Sequence, residues 1–343
     1  MRTADETKLL WMAPVVFGLL AAACVPLLSG PLARSVSPLA GIVILFAAAA
    51  LLLLPTSLPS LLRDVRPSGR LLVRAGLTGA LLLLAMTFIV LGLSHGADLV
   101  ASLLFLSLTP TASLVGRKVL WGERLCGRQQ AGILMSLVAA AVWLGLSKEA
   151  RPFEGAFLPA SRDVSFLGDT LVFLGSLMLG ITYSVGRPSE LRVSVTSWWF
   201  FVVGSALAIS LPLALGSHAF LYGLDVPFAG VNAARLREEP AALLPYAFFG
   251  MAHLFFRLRL LARSGALLSV GTSALLWCGA LLLAGTLIAG LLGNVAPAIH
   301  FAMLPLHLFG LCLARDALVP WAPYAGPREA RPVVIATSER AVS

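Results

Sequence analysis

The feature that most constrains this chain is a series of apolar runs too uniform for any soluble core. Stretches such as Leu81-Leu82-Leu83-Leu84 leave no polar face to turn toward water, and a helix apolar on all sides belongs in a large protein core or a membrane. A hydrocarbon layer of roughly 30 Å takes about 20 residues of helix. Ten stretches of that kind can be laid along the sequence, at 10–29, 36–54, 75–93, 97–115, 129–146, 164–183, 195–215, 241–261, 265–283 and 295–314. Apolar sequence continues past the ninth through Gly290 and Leu292, which predicts a longer or tilted helix there. Barrel strands are excluded because they alternate apolar and polar residues, whereas these runs satisfy their backbone in lipid only as helix. With 59% hydrophobic and 12% charged residues, a disordered chain is excluded as well. Four cysteines are too few for a disulfide scaffold.

A net charge of +9 raises nucleic acid as a partner, but the basic residues do not gather into one groove. They divide between the two sides of a bilayer. Arg34, Lys148, Arg151, Arg162, Arg235 and Arg237 fall on one side, and the other 19 of the 25 Lys and Arg fall on the side of the termini. The positive-inside rule then places both termini in the cytoplasm and requires an even number of spans. The expected location is the bacterial inner membrane, with no nucleic-acid partner. Ala21-Ala22-Ala23-Cys24 has the look of a lipoprotein cleavage site, but nine further spans leave no soluble product to release. Cys126, Cys278 and Cys312 show no metal or CxxC spacing, so they read as small apolar fillers.

Five spans on each side of a Pro-containing external segment have a topological consequence. An odd-numbered unit followed by a copy of itself inserts the copy upside down, the arrangement common in secondary transporters. The expected organisation is an all-α integral membrane protein with ten transmembrane helices in two inverted five-helix repeats. Residues 1–150 form the first repeat, 151–163 an external linker, 164–316 the second repeat and 317–343 a disordered cytoplasmic tail. A second external segment, 217–240, carries Phe220, Tyr222 and Phe228, which suit anchoring at a membrane surface.

Leu108-Thr109-Pro110-Thr111-Ala112-Ser113, then Leu120-Trp121-Gly122-Glu123-Arg124-Leu125, then Gly132 and a helix ending at Gly145 resemble the end of the first repeat in the EamA-like drug/metabolite transporters. In that family a proline in the fourth span and a Gly-Glu at its cytoplasmic exit precede the fifth span. Ser37-Pro38 and Gly168-Asp169 are similar to other positions of the pattern. The resemblance spans about 10–313. It implies ten spans, cytoplasmic termini and movement of small metabolites through a central cavity, with spans five and ten peripheral. The second half has neither the proline in its ninth span nor a Gly-Glu at its exit.

Polar groups inside spans are costly in lipid and so are candidates for the substrate pathway, although small polar residues also serve helix packing. Ser102, Thr109 and Ser113 share one face of the fourth span, where Pro110 frees a carbonyl near Leu106 for a ligand or a hydroxyl. Asp169, Ser176 and Tyr183 share a face of the sixth span. Asp169 equally suits a helix N-terminus, where a carboxylate complements the dipole. His253 in the eighth span and Ser273 and Trp277 in the ninth complete the candidate pathway. Glu123 and Arg117 suit a cytoplasmic gate, or a solvated ion pair of little energetic weight. His300 and His307, seven apart and without a third ligand, read as packing or as contact between subunits of a homodimer.

No HExxH, GxSxG or Walker loop is present. The expectation is therefore not an enzyme and no cofactor or metal. It is a transporter of a small organic molecule such as an amino acid, nucleoside or drug-like compound, working by export through alternating access. Asp169 and His253 are the candidates for proton coupling, with exchange as the default. A non-transporting membrane partner or assembly factor is the alternative, and an integral membrane enzyme of lipid metabolism a weaker one.

Overall fold

The computed structural model describes residues 4–30, 36–64, 69–147, 162–185, 194–221, 240–252, 254, 270–292 and 298–314. Every regular element among them is helical. In chain order these are α1 (Ala4–Ser29), α2 (Pro38–Asp64), α3 (Gly69–Ser94), α4 (Leu99–Ser107), α5 (Thr109–Trp121), α6 (Gly127–Ser147), α7 (Arg162–Val185) and α8 (Val195–Leu221). A 3₁₀ turn (Pro240–Leu243), α9 (Leu244–Gly250), α10 (Val270–Leu291) and α11 (Ala298–Ala314) follow.

Seven helical stretches among the described residues are long and apolar enough to cross a membrane, the build of a multi-pass membrane protein. They lie in α1, α2, α3, α4 with α5, α7, α8 and α10. Of the remaining expected spans, α6 opens on the polar Arg128-Gln129-Gln130, while 240–250 and 302–314 form shorter apolar helices. In α10, the expected ninth span, residues 265–269 lie outside the described residues, and the helix runs on to Leu291, following the apolar sequence past 283. In α7, the expected sixth span, Arg162 is already helical, inside the expected linker. The rest of that linker, residues 151–161, and the expected tail, 317–343, lie outside the described residues.

The helices pack as pairs. α3 lies against α7 and α8, α2 against α8 and α9, α1 against α10, α5 against α7, and α6 against α11. Lipid offers no hydrophobic gain for bringing apolar helices together, so the close crossings rely on small residues and dispersion. A Cβ on Gly92 would meet the Gly168 carbonyl, and one on Gly79 the Val202 carbonyl. Gly132 and Gly310 bring the backbones of α6 and α11 together in the same way. The core is filled by Trp198, Tyr246, Phe17, Phe46, Phe105 and Phe249, while Leu51, Leu77, Leu134 and Leu287 face outward as a lipid-facing surface requires.

Candidate functional site

The fourth span is interrupted where its sequence says it must be. Pro110 has no N–H to give the Leu106 carbonyl, and its ring crowds the preceding turn. The helix divides at Leu108, which keeps right-handed helical dihedrals (φ −71°, ψ −16°), so the chain continues into α5 without unwinding. The Leu106 carbonyl does meet a hydroxyl: Thr109 Oγ1 donates to it at 2.7 Å. Ser113 Oγ donates to Pro110 O at 2.9 Å, and Ser107 Oγ to Leu104 O at 2.6 Å. Of the two partners expected for that carbonyl, a ligand or a hydroxyl, Thr109 thus supplies the hydroxyl, while Ser113 bonds a carbonyl of its own helix. Ser102 does not. Its hydroxyl is fully buried and has no hydrogen-bond partner among the described residues.

α7 carries the second group of candidates along the seam with α4 and α5. Asp169 is completely buried, and its Oδ1 accepts the Asp98 backbone N–H at 2.7 Å. Asp98 is the N-cap of α4, its own Oδ1 accepting from Val100 N (2.8 Å) and Ala101 N (3.0 Å). The expected role of a carboxylate at a helix N-terminus is therefore filled across the helix pair: Asp169 serves the start of α4 rather than its own helix. One position along the same face, Phe173 meets Phe105 with ring centroids 5.5 Å apart. Gly180 admits the α5 backbone so closely that a Cβ would meet Ala112 and the Thr109 carbonyl. Between them Ser176 is fully buried, its hydroxyl without a partner among the described residues. Tyr183 ends the row against Trp199 of α8, centroids 5.4 Å apart.

Trp277 packs edge-on against Phe17 of α1 (5.4 Å, 63°) and is buried, as is Ser273. That contact makes Trp277 part of the α1–α10 packing rather than a surface open to a substrate ring. His253 lies outside the described residues. A cavity of about 430 Å³ opens at the start of α3, lined by Gly69, Arg70, Val73 and Arg74. None of the described pathway candidates lines it.

At the end of α5 the gate differs from expectation. Glu123 is exposed and forms no ion pair with Arg117 among the described residues, because Gly122 adopts a left-handed conformation (φ 63°) that ends the helix and turns the chain away. The link between neighbouring helices here is Trp121, whose Nε1 donates to Ser184 O of α7 at 3.0 Å. A Cβ on Gly116 would meet the Ser184 side chain, so the two helix ends touch.

α11 adds a buried contact, on the packing side of the two alternatives for its histidines. His307 is fully buried, with Nε2 2.8 Å from Ser107 Oγ. Ser136 of α6 donates to the His307 carbonyl at 3.3 Å, and Cys278 of α10 to the Ser107 carbonyl at 3.4 Å. His307 therefore reaches the interrupted span and is not a surface residue available to a second subunit. The side chain of His300 lies outside the described residues. Sequence reasoning missed Ser107, Trp121, Ser184 and the Asp98–Asp169 link. A serine three residues before a proline was the available signal for the first, since its hydroxyl readily bonds nearby carbonyls. The others depend on residues over 60 positions apart.

No protein-family model matches the chain, and no curated protein matches it. Solved structures do. One, described as "Crystal structure of protein", superposes with a TM-score of 0.51 over 92% of this chain and 99% of its own, at 20% identity. At that identity the likeness is one of fold alone.

Proposed function

We propose that this chain is a secondary transporter of the bacterial inner membrane, similar to the EamA-like drug/metabolite transporters. It moves a small organic metabolite, in the export direction, by alternating access. The observation that carries this reading is two buried hydroxyls without a partner among the described residues, Ser102 and Ser176, on the two helices of the α4–α7 seam. A hydroxyl within a span ordinarily bonds a carbonyl of its own helix, as those of Thr78, Thr87 and Thr286 do here. Leaving one unpaired in the interior costs about 1–3 kcal/mol. Groups held at that cost fit a pathway whose polar partner comes and goes.

The ten-span inverted repeat is part of the same reading. Take α4 with α5 as the fourth span, α6 to α8 as the fifth to seventh, and α9, α10 and α11 as the eighth to tenth. Replacing each span by the one five places on then exchanges the packed pairs one–nine with six–four, three–six with eight–one and three–seven with eight–two. It returns two–seven, four–nine and five–ten to themselves. A pseudo-twofold relation between halves has that property. Both termini are cytoplasmic in this reading, from the distribution of Lys and Arg. Exchange is the proposed mode, since Asp169 is engaged with Asp98 N–H rather than standing ready to carry protons.

The test is a comparison of metabolites inside and outside cells with and without the protein, followed by counterflow in proteoliposomes with the metabolite that differs. Saturable counterflow that falls in Ser102→Val and Ser176→Val supports the reading. Proteoliposomes that move none of the differing metabolites refute it and favour a non-transporting partner.

A further inference from the structure

The break in the fourth span is repaired from within by Thr109, but one hydrogen bond beside it comes from far away in sequence. Ser107 Oγ has a single proton, and at 2.6 Å from Leu104 O that proton is committed. The 2.8 Å contact with His307 is therefore made by the imidazole Nε2–H donating to the Ser107 oxygen. This fixes the tautomer and leaves Nδ1 a bare acceptor, which is buried and has no partner among the described residues. A leucine would fill this site without an unsatisfied nitrogen in an apolar interior. What the imidazole supplies beyond packing is the bond to Ser107.

His307 is itself firmly held. Its carbonyl accepts from Ser136 of α6, and within a turn of it Gly310 packs against the Gly132 carbonyl and Ser136. The α6–α11 pair is thus a close-packed support, and Cys278 of α10 adds a weaker bond to the same Ser107 residue from a third side.

We propose that His307 is a positioning residue: from the α6–α11 support it clasps Ser107 and so sets the conformation of the interrupted fourth span. The clasp rests on the transporter reading for its purpose, because a broken span lined by Ser102 has to hold one geometry and release it as the pathway changes sides. It gives the tenth helix a working part where the family resemblance implied a peripheral one.

Hydrogen–deuterium exchange on the full chain in lipid nanodiscs tests the clasp without needing a substrate. His307→Leu is expected to raise amide exchange in peptides covering 106–112 by roughly 3- to 10-fold, the local opening set free by one lost hydrogen bond. Peptides from α2 and α8 are expected to stay unchanged. His307→Gln, which restores an N–H donor, is expected to return exchange to within about twofold of the wild type. Ser107→Ala approaches the same contact from the other side, should His307→Leu fail to fold, and the double variant is expected to open no further than either single one. Exchange at 106–112 that does not rise in the Leu or Ala variants overturns the clasp. So does a rise spread evenly over all helices, or a Gln variant no better than Leu. Faster exchange in a protein that moves no solute keeps the clasp and rejects the transporter reading. Loss of transport with unchanged exchange does the reverse.

Discussion

Replacing Asp169 by alanine removes the acceptor that ties α7 to the start of α4. In the structure its Oδ1 lies 2.7 Å from the Asp98 N–H, with the carboxylate fully buried. A hydrogen bond to a charged group contributes about 1.5–3 kcal/mol, and an N–H left without a partner adds to the loss. The sum for Asp169→Ala is about 3 kcal/mol. Asp169→Asn keeps an oxygen at the same place and loses only the charge assistance, about half the bond, so about 1 kcal/mol. With roughly 2 °C per kcal/mol for a chain at the large end of the usual range, the melting temperature falls about 6 °C in the first variant and about 2 °C in the second. Thermal unfolding of the purified protein in detergent, followed by intrinsic tryptophan fluorescence, measures both. An alanine variant that melts with the wild type would show that the Asp98–Asp169 bond carries no stability. An asparagine variant that falls as far as alanine would show that the charge, and not the geometry of acceptance, is what the site requires.

Gly132→Leu is expected to force α6 from α11, since even a Cβ there meets backbone atoms of Gly310 and Ala314. A loss of about 1–3 kcal/mol or more should appear as reduced thermal stability, whereas Gly145→Ala, on open space in the same helix, should not destabilise. Cys126 is exposed while Cys24 and Cys278 are buried, so a membrane-impermeant maleimide should label Cys126 in inside-out vesicles and leave intact spheroplasts unlabelled. Labelling from outside would invert the proposed topology. At the end of α5, Glu123→Gln is expected to leave counterflow within about twofold, because the exposed side chain makes no ion pair among the described residues. Trp121→Phe, which loses the bond to Ser184, should change the counterflow rate more than Glu123→Gln does; the opposite order would return the gate to Glu123.

The helices and the interruption of the fourth span were legible in the amino-acid sequence because both arise from short-range causes. A backbone in an apolar run finds its partners four residues away or not at all, and a proline disturbs the turn beside it whatever else surrounds it. Hence the run around Leu81–Leu84 and the break before Pro110 could be placed without knowing any neighbour. Even the fate of the Leu106 carbonyl was half visible, since a ligand or a hydroxyl was expected to claim it and the Thr109 hydroxyl does. Tertiary structure decided which polar groups remain unpaired and which are used up. Ser102, Thr109 and Ser113 look alike on one helical face, yet only the packing of α7, α10 and α11 determines that Ser102 has no partner among the described residues and that Ser107 has one on a helix 200 residues away. Asp169 likewise suited its own helix terminus in sequence and serves α4 in the fold. The physical reason is that a hydrogen bond acts over about 3 Å. Hydrophobicity sorts helices into a membrane from composition alone, but a contact of that reach exists only once small residues such as Gly132, Gly180 and Gly310 have let particular backbones come close.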